Sequence, residues 1–536
     1  MIPAPVAATA TGGDICLHDG VSIEAPAELA GVARWLRRLL EQATGWHVGI
    51  DAASRPAEVP KNIIRLALED GGADGGPLCR HETYRLRVTP EAVTVTGDGP
   101  AGVFYGLQTL RQLLPDWSWR AAAAKSAPPI TIRGVDISDA PAFAWRGVHL
   151  DVSRHFLPKS FVLKLIDLIS MHKCNVLHLH LTDDQGWRVP IRAYPRLVEV
   201  GAWRRESPAG HELEGRGDGS PHGGFYSADD LREIVSYASQ RFVEVLPEIE
   251  MPGHMTAAIA AYPELGNSPD PLEVLTEWGI SSHVLNLEPE TVKFCTDVLD
   301  EVIDLFPFGY VHVGGDECPT AEWQASEKAR TRMRKEGLES EQQLQGWFTA
   351  RIADHLSSRG RVLVGWDEIL EGGAPPGTVV MSWRGEEGGV SAANAGHDVI
   401  MAPQEWLYFD WAYSDSPSEP LAICPATSVE RVWSYDPVPS AVPASERHHV
   451  IGAQCELWTE YVPNSEHAEY MYFPRLCAFS ETMWRGAASS DPSGPRSFED
   501  FERRLGAHLR RLDAIGVNYR PLAGPTPGQA RIWTGG

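Results

Sequence analysis

The sequence predicts an α/β protein, a (β/α)8 barrel of the TIM type preceded by a small α+β domain. From residue 143 onward, short β-branched runs alternate with longer runs of helical period, the signature of βα units that build a parallel sheet. Eight such runs occur, the number that closes a barrel. No G-x-G-x-x-G or Walker loop follows any early strand, which weakens the rival reading of an open doubly wound sheet.

The N-terminal unit, residues 1–142, mixes alternating strand patterns at 84–88 (YRLRV) and 93–96 (VTVT) with a helical run at 101–114. The alanine-rich stretch 121–129, ending in Pro128 and Pro129, marks a connecting loop, so the boundary falls between 120 and 142. The barrel, 143–536, is expected to place its strands at 146–151, 175–181, 242–249, 310–314, 361–366, 378–383, 398–402 and 451–458. Helical spacing puts Phe161, Leu165, Leu168 and Ile169 on one face of 160–173. Similar patterns follow at 228–240, 291–305, 342–357 and 390–395.

Composition narrows the function before any motif is read. The 536 residues hold 47 Lys and Arg against 72 Asp and Glu, a net charge of −25. That excess of acid disfavours nucleic acid, whose binding needs basic side chains to displace counterions, and leaves neutral or cationic small substrates open. No run reaches the roughly 18 apolar residues of a spanning helix, so no membrane association is expected. Residues 1–20 lack a basic region and a continuous apolar one, and the eight cysteines are widely spaced with no C-x-x-C pair. Both features point to a cytoplasmic chain with reduced thiols.

In a barrel, chemistry collects at the C-terminal ends of the strands. Here strand one runs into Asp151-Val152-Ser153-Arg154-His155, strand two into Thr182-Asp183-Asp184, strand three into Glu248-Ile249-Glu250-Met251-Pro252-Gly253-His254, and strand four into Gly314-Gly315-Asp316-Glu317. Strands five, six and eight end in Trp366-Asp367-Glu368, Ser382-Trp383-Arg384 and Trp458-Thr459-Glu460. One acidic pair after a strand is an ordinary turn or cap signal. Seven loaded strand ends meeting at one cavity are not accounted for that way. Carboxylates and Arg hold sugar hydroxyls by charge-assisted hydrogen bonds, and indole faces cover the apolar side of a pyranose, so the pattern fits a sugar site.

His178 and His180, two apart on one strand face, leave a metal-dependent barrel hydrolase open, with Asp183, His254, His312 and Asp367 as further ligands. The pair sits mid-strand in VLHLHL, where hydrogen bonding inside the barrel serves equally well, and no helical H-E-x-x-H supports ligation. No metal or other cofactor is therefore expected. Cys318 reads as packing, and no G-x-S-x-G elbow signals a serine nucleophile.

These motifs resemble glycoside hydrolase family 20, the β-N-acetylhexosaminidases. The resemblance rests on LDVSRHF at 150–156, HLHLTDDQGW at 178–187, PEIEMPGH at 247–254, HVGGDE at 312–317 and LWTE at 457–460, in the expected order. The N-terminal unit also looks like the accessory domain that precedes the barrel in this family. The resemblance implies an exo-acting, retaining enzyme that releases terminal β-linked GlcNAc or GalNAc from an oligosaccharide or glycoconjugate. It further implies that the substrate's own 2-acetamido oxygen attacks the anomeric carbon, an exception among retaining glycosidases. On that pattern Glu317 is the general acid and later activates water, while Asp316 orients the acetamido N–H and stabilises an oxazolinium-like intermediate. Asp183 and His254 form a hydrogen-bonded relay behind Glu317 that tunes it for proton transfer. Arg154 and Glu460 bind the 3- and 4-hydroxyls; Trp366, Trp383 and Trp458 wall the acetamide and the ring; Tyr408 donates to the acetamide carbonyl, with Asp410 nearby.

Each assignment has an ordinary alternative. Asp183 reads as a strand-end cap, His254 as a buried neutral histidine, Arg154 with Glu460 as a rim salt bridge, and any single Trp as core. The sequence departs from the family's usual pattern at Glu250, where Asp is commoner, and in the Gly-rich, charged loop 210–224. A leaving-group platform is expected within 411–433. Outside the enzymes, the alternative is a catalytically silent carbohydrate-binding barrel.

Overall fold

The computed structural model describes residues 1–52, 62–69, 78, 81–120, 127–211, 215–268, 270–423, 426–487 and 497–529. In the N-terminal unit one sheet runs in the order Ala7–Ala10, Val135–Asp139, Tyr84–Val88, Val93–Gly97, Ile63–Leu68, Ser22–Ala25, Gly49–Ala52. Its first three junctions are antiparallel and the rest parallel. Alternation along Tyr84–Val88 sends Tyr84, Leu86 and Val88 into a core closed by the helices Ala30–Thr44 and Pro100–Leu113. Of the expected connecting loop, 121–126 lies outside the described residues. Beyond it Ile130–Ile132 pairs back onto Ile15–Leu17, so the chain leaves this unit only after Asp139.

The eight expected barrel strands are all present: β1 Trp145–Asp151, β2 Val176–His180, β3 Glu244–Glu248, β4 Tyr310–His312, β5 Val362–Trp366, β6 Val379–Ser382, β7 Val399–Met401 and β8 Val450–Cys455. All neighbours are parallel, and β8 pairs with β1 to close the ring. The five expected barrel helices lie at Lys159–Met171, Ala228–Ser239, Pro289–Leu305, Glu341–Ser358 and Glu387–Asn394. Ser227 starts the second of these with a reciprocal capping box to Asp230, and Ser340 caps the fourth. Three further helices, Ser465–Tyr472, Arg475–Arg485 and Phe498–Ala514, complete the wall beside β8 and β1.

The N-terminal unit grips the N-terminal ends of β1 and β2. Buried Arg146, at the start of β1, pairs with Glu82 at 2.8 Å; buried Lys173, just before β2, reaches Asp139 at 2.8 Å, and Trp484 donates to the same carboxylate at 2.9 Å. The C-terminal strand ends are thereby left free for the site. Among the described residues no helix is long and apolar enough to cross a membrane, and Cys16, Cys174, Cys295, Cys318, Cys455 and Cys477 are free thiols. Cys79 and Cys424 lie outside the described residues.

Candidate active site

The C-terminal strand ends enclose a pocket of about 190 Å3. It is lined by nine of the eleven predicted site residues: Arg154 after β1, Asp316 and Glu317 after β4, Trp366 ending β5, Trp383 after β6, Tyr408 and Asp410 after β7, and Trp458 and Glu460 after β8. The remaining two, Asp183 and His254, stand directly behind. At this volume, below the ~300–1,000 Å3 of drug-sized sites, the pocket has room for one sugar ring rather than a chain.

The walls are held from outside. Trp366 Nε1 donates to Glu248 at 2.9 Å and Trp383 Nε1 to Glu368 at 3.0 Å, which fixes both indole planes. The Trp383 and Tyr408 rings stack at 6.1 Å, and Trp366 and Trp458 meet at 5.9 Å. Gln404, Trp411 and Ile423 also line the pocket, and Trp411 bridges to Ile423. The expected platform stretch thus supplies two lining residues, while its residues 424 and 425 lie outside the described ones, as do 212–214 of the loop 210–224.

Behind the acids runs a column of alternating charge. Buried Glu248 of β3 accepts from His180 of β2, with His312 Nδ1 of β4 2.7 Å away and His178 Nε2 at 3.2 Å. His180 Nε2 donates to Asp183 at 2.8 Å; His254 Nδ1 lies 3.3 Å from Asp183 and 3.2 Å from Asp184. His254 Nε2 then faces both acids, 3.6 Å from Asp316 and 3.5 Å from Glu317. Burial alone would neutralise these groups, yet their neighbours prevail. Glu248 is held well below the usual carboxylate range by His312, His180 and His178, and His180 rises to about 10 beside Glu248 and Asp183. Asp183 is held low by Arg154 and His254, and His254 is raised well above its ordinary value by Asp183, Asp184 and Glu317. The contacts that join His254 to Asp183 thus continue through two further residues, His180 and Glu248, into the barrel core.

Sequence reasoning reached Asp183 and His254 but not Glu248 as their support, because a Glu within PEIE reads only as part of a strand. The H-x-H pair is engaged by Glu248 on both rings. Two separate sets around Glu248 lie close enough to share a metal ion, His149 and His178 with Glu248, and His180 with Glu248 and Glu250.

Arg154 is a hub rather than a simple partner of Glu460. It contacts Asp183 at 2.9 Å, Asp151 at 3.4 Å and Glu460 at 3.7 Å, donates to Gln185 at 3.0 Å, and lies 5.0 Å over the Trp458 ring. Near Glu317 the backbone enters the left-handed region, at Gly314 (φ 65°), Gly315 (φ 93°), Glu317 (φ 44°) and His254 (φ 50°). A Cβ on Gly314 would overlap the carboxylate of Glu250. The Glu250 carboxyl is fully buried and has no hydrogen-bond partner among the described residues; burial, then Asp316 and Glu248, raises it well above the usual range.

A closed parallel barrel that sets paired acids among indole walls at its strand ends defines a glycoside hydrolase. Residues 143–487 match the glycosyl hydrolase family 20 catalytic domain and residues 1–140 that family's domain 2. The chain belongs to glycosyl hydrolase family 20. It is 41% identical over 98% of its length to a beta-hexosaminidase of Porphyromonas gingivalis, spanning 65% of that protein. To a beta-hexosaminidase of Akkermansia muciniphila it is 36% identical, with 83% of this chain and 86% of that protein covered. Among solved structures it resembles an exo β-N-acetylglucosaminidase from Vibrio harveyi in complex with N-acetylglucosamine, with TM-score 0.83, 29% identity, and 97% and 78% of the two chains covered. A mutant Streptomyces plicatus β-hexosaminidase in complex with product GlcNAc gives TM-score 0.80, 31% identity, and coverage of 98% and 97%.

Proposed function

We propose that this chain is an exo-acting, retaining β-N-acetylhexosaminidase that removes terminal β-linked GlcNAc or GalNAc by substrate-assisted catalysis. The observation that carries this reading is that Asp316 and Glu317, adjacent in the chain, both line a pocket with room for one sugar and both face His254. The names of the family relatives and the GlcNAc bound in two of the solved structures support it.

In this mechanism Arg154, Asp410 and Glu460 hold the hydroxyls at the closed end of the pocket, so only a terminal sugar enters. Glu317 protonates the leaving oxygen as the acetamido oxygen closes on the anomeric carbon. Asp316 accepts the acetamido N–H and offsets the positive charge of the oxazolinium ion, while Tyr408 donates to the acetamide oxygen. The Glu317 carboxylate then takes a proton from water attacking the same carbon, which restores the enzyme.

The test compares nitrophenyl β-GlcNAc with the matching β-glucoside. Fast cleavage of the first alone is expected, because only that sugar carries its nucleophile. Equal rates would assign the attack to an enzyme carboxylate, and cleavage of neither would leave a binding barrel. Treatment with EDTA is expected to change nothing; loss of activity would favour a metal at the Glu248 histidines.

A pH dependence follows from Asp316. Its pKa is pushed up to about 6, first by burial, with the charge of His254 opposing and those of Glu317 and Glu248 reinforcing. Its role needs the ionised form, which is lost as pH falls through that value. The acid limb of kcat/KM is therefore expected to have its midpoint near 6, which a pH–rate profile of the free enzyme reads directly.

A further inference from the structure

In the motif that follows β2, Gln185 is left without a role by the chemistry above. It stands with Asp184 in the turn of an antiparallel hairpin, whose two short strands are Thr182–Asp183 and Gly186–Trp187. The hairpin is fastened to the loop after β1. Arg188 Nε donates to the Val152 carbonyl at 2.9 Å, and a Cβ at Gly186 would overlap the Arg188 guanidinium, so this position stays bare. The turn thereby brings two side chains, Asp183 and Gln185, to the one guanidinium of Arg154.

Gln185 is buried and does not itself line the pocket. Its Oε1 accepts from Arg154 Nε at 3.0 Å, and its Nε2 donates to the Glu277 carbonyl at 3.0 Å. A guanidinium only donates and a carbonyl only accepts, so the amide has one orientation here and is held at both ends. The Glu277 end is anchored in turn. Leu275 N donates to the Asp184 carbonyl at 3.1 Å and Ser281 N to the Asp184 carboxylate at 3.4 Å, which straps segment 275–281 onto the same turn. Of the Arg154 contacts the short ones are Asp183 on Nη2, at 2.9 Å, and Gln185 on Nε; those of Nη1, to Asp151 at 3.4 Å and Glu460 at 3.7 Å, are longer. One edge of the planar fork is thus fixed by the hairpin, and Nη1 is left toward Glu460. Three carboxylates already surround Arg154, so a neutral amide sets its plane without adding a fourth charge.

We propose that Gln185 is a positioning residue, which acts through Arg154 by holding its guanidinium in the plane that meets the hydroxyls of the terminal sugar. This rests on the reading of the pocket given above. Gln185 touches neither sugar nor acids, so its loss weakens the grip on the substrate and leaves proton transfer by Glu317 in place.

A double-mutant cycle on the full chain tests it, with nitrophenyl β-GlcNAc as substrate and the variants Gln185→Met, Arg154→Lys and the pair. Met keeps the length of the side chain and removes both hydrogen bonds; Lys has no Nε–H for Gln185 to accept. Gln185→Met alone is expected to raise KM at least about fivefold with kcat within about threefold of wild type. In the Arg154→Lys background the same change is expected to lower kcat/KM by less than about twofold, because the group it acts through is gone. Should Gln185→Met misfold, Gln185→Asn, whose amide is one methylene too short to span Arg154 and Glu277, is to show the same pattern. An unchanged KM, a loss confined to kcat, or the same fold-loss in both backgrounds would each overturn the proposal. A wild type that does not cleave the substrate would instead overturn the activity, and the cycle is then read in Kd for GlcNAc by calorimetry. Failure of the wild type to bind GlcNAc as well would overturn both.

Discussion

Replacing Glu317 by Gln is expected to lower kcat on an unactivated chitobioside by about 10²- to 10⁴-fold, and far less on a nitrophenyl glycoside. Gln preserves the side chain's volume and its approach to His254, 3.5 Å away, so the pocket keeps its shape. What it cannot do is release a proton to the departing oxygen. A sugar alkoxide needs that proton, whereas a nitrophenolate leaves as the anion. The second half-reaction also suffers, because an amide takes no proton from the attacking water, so the aryl substrate should become limited by breakdown of the intermediate. Steady-state kcat on both substrates, with a pre-steady-state burst of nitrophenol on the second, reads the two effects separately. Equal, small losses on both would remove Glu317 from proton transfer.

The barrel was legible because its strands are buried on both faces, so segments such as Val176–His180 and Val379–Ser382 stand out as short apolar runs between helices. The pocket was legible for a related reason: strand ends carry acids and indoles in short motifs, and closure of the ring alone brings them together. Closure is also what hid the support beneath. Glu248, His178, His180 and His312 come from three strands and meet only because β2, β3 and β4 are neighbours, in a register that sets Glu248 beside both His180 and His312. Helix Arg475–Arg485 buries all but its last residue, the polar Arg475, Ser480, Glu481 and Thr482 included, a burial that its amphipathic pattern does not announce. The seam between the N-terminal unit and the barrel was silent too, since its Arg146–Glu82 pair joins residues 64 positions apart.

Arg154 carries the other large effect. Its guanidinium is nearly buried and stands between three carboxylates, of which Asp183 is the one it holds down in pKa. Arg154→Ala leaves those charges in a low-dielectric site without their partner, so a loss of about 3–5 kcal/mol at pH 7 is expected in urea unfolding. The sign with pH follows from Asp183. A carboxylate depressed in the folded state contributes stability above its unfolded value, near 3.9, and that contribution is lost as pH falls through the folded value. The gap between wild type and variant should therefore be widest at neutral pH and narrow below about 4, where protonated carboxylates no longer miss the cation. Arg154→Lys separates charge from geometry. An ammonium restores a cation beside Asp183 but reaches fewer of Asp151, Asp183, Gln185 and Glu460 at once, so it should recover much of the stability while KM for the aryl glycoside stays high. Recovery of both by Lys would mean that charge alone, and not the planar fork, is what the sugar and Asp183 require.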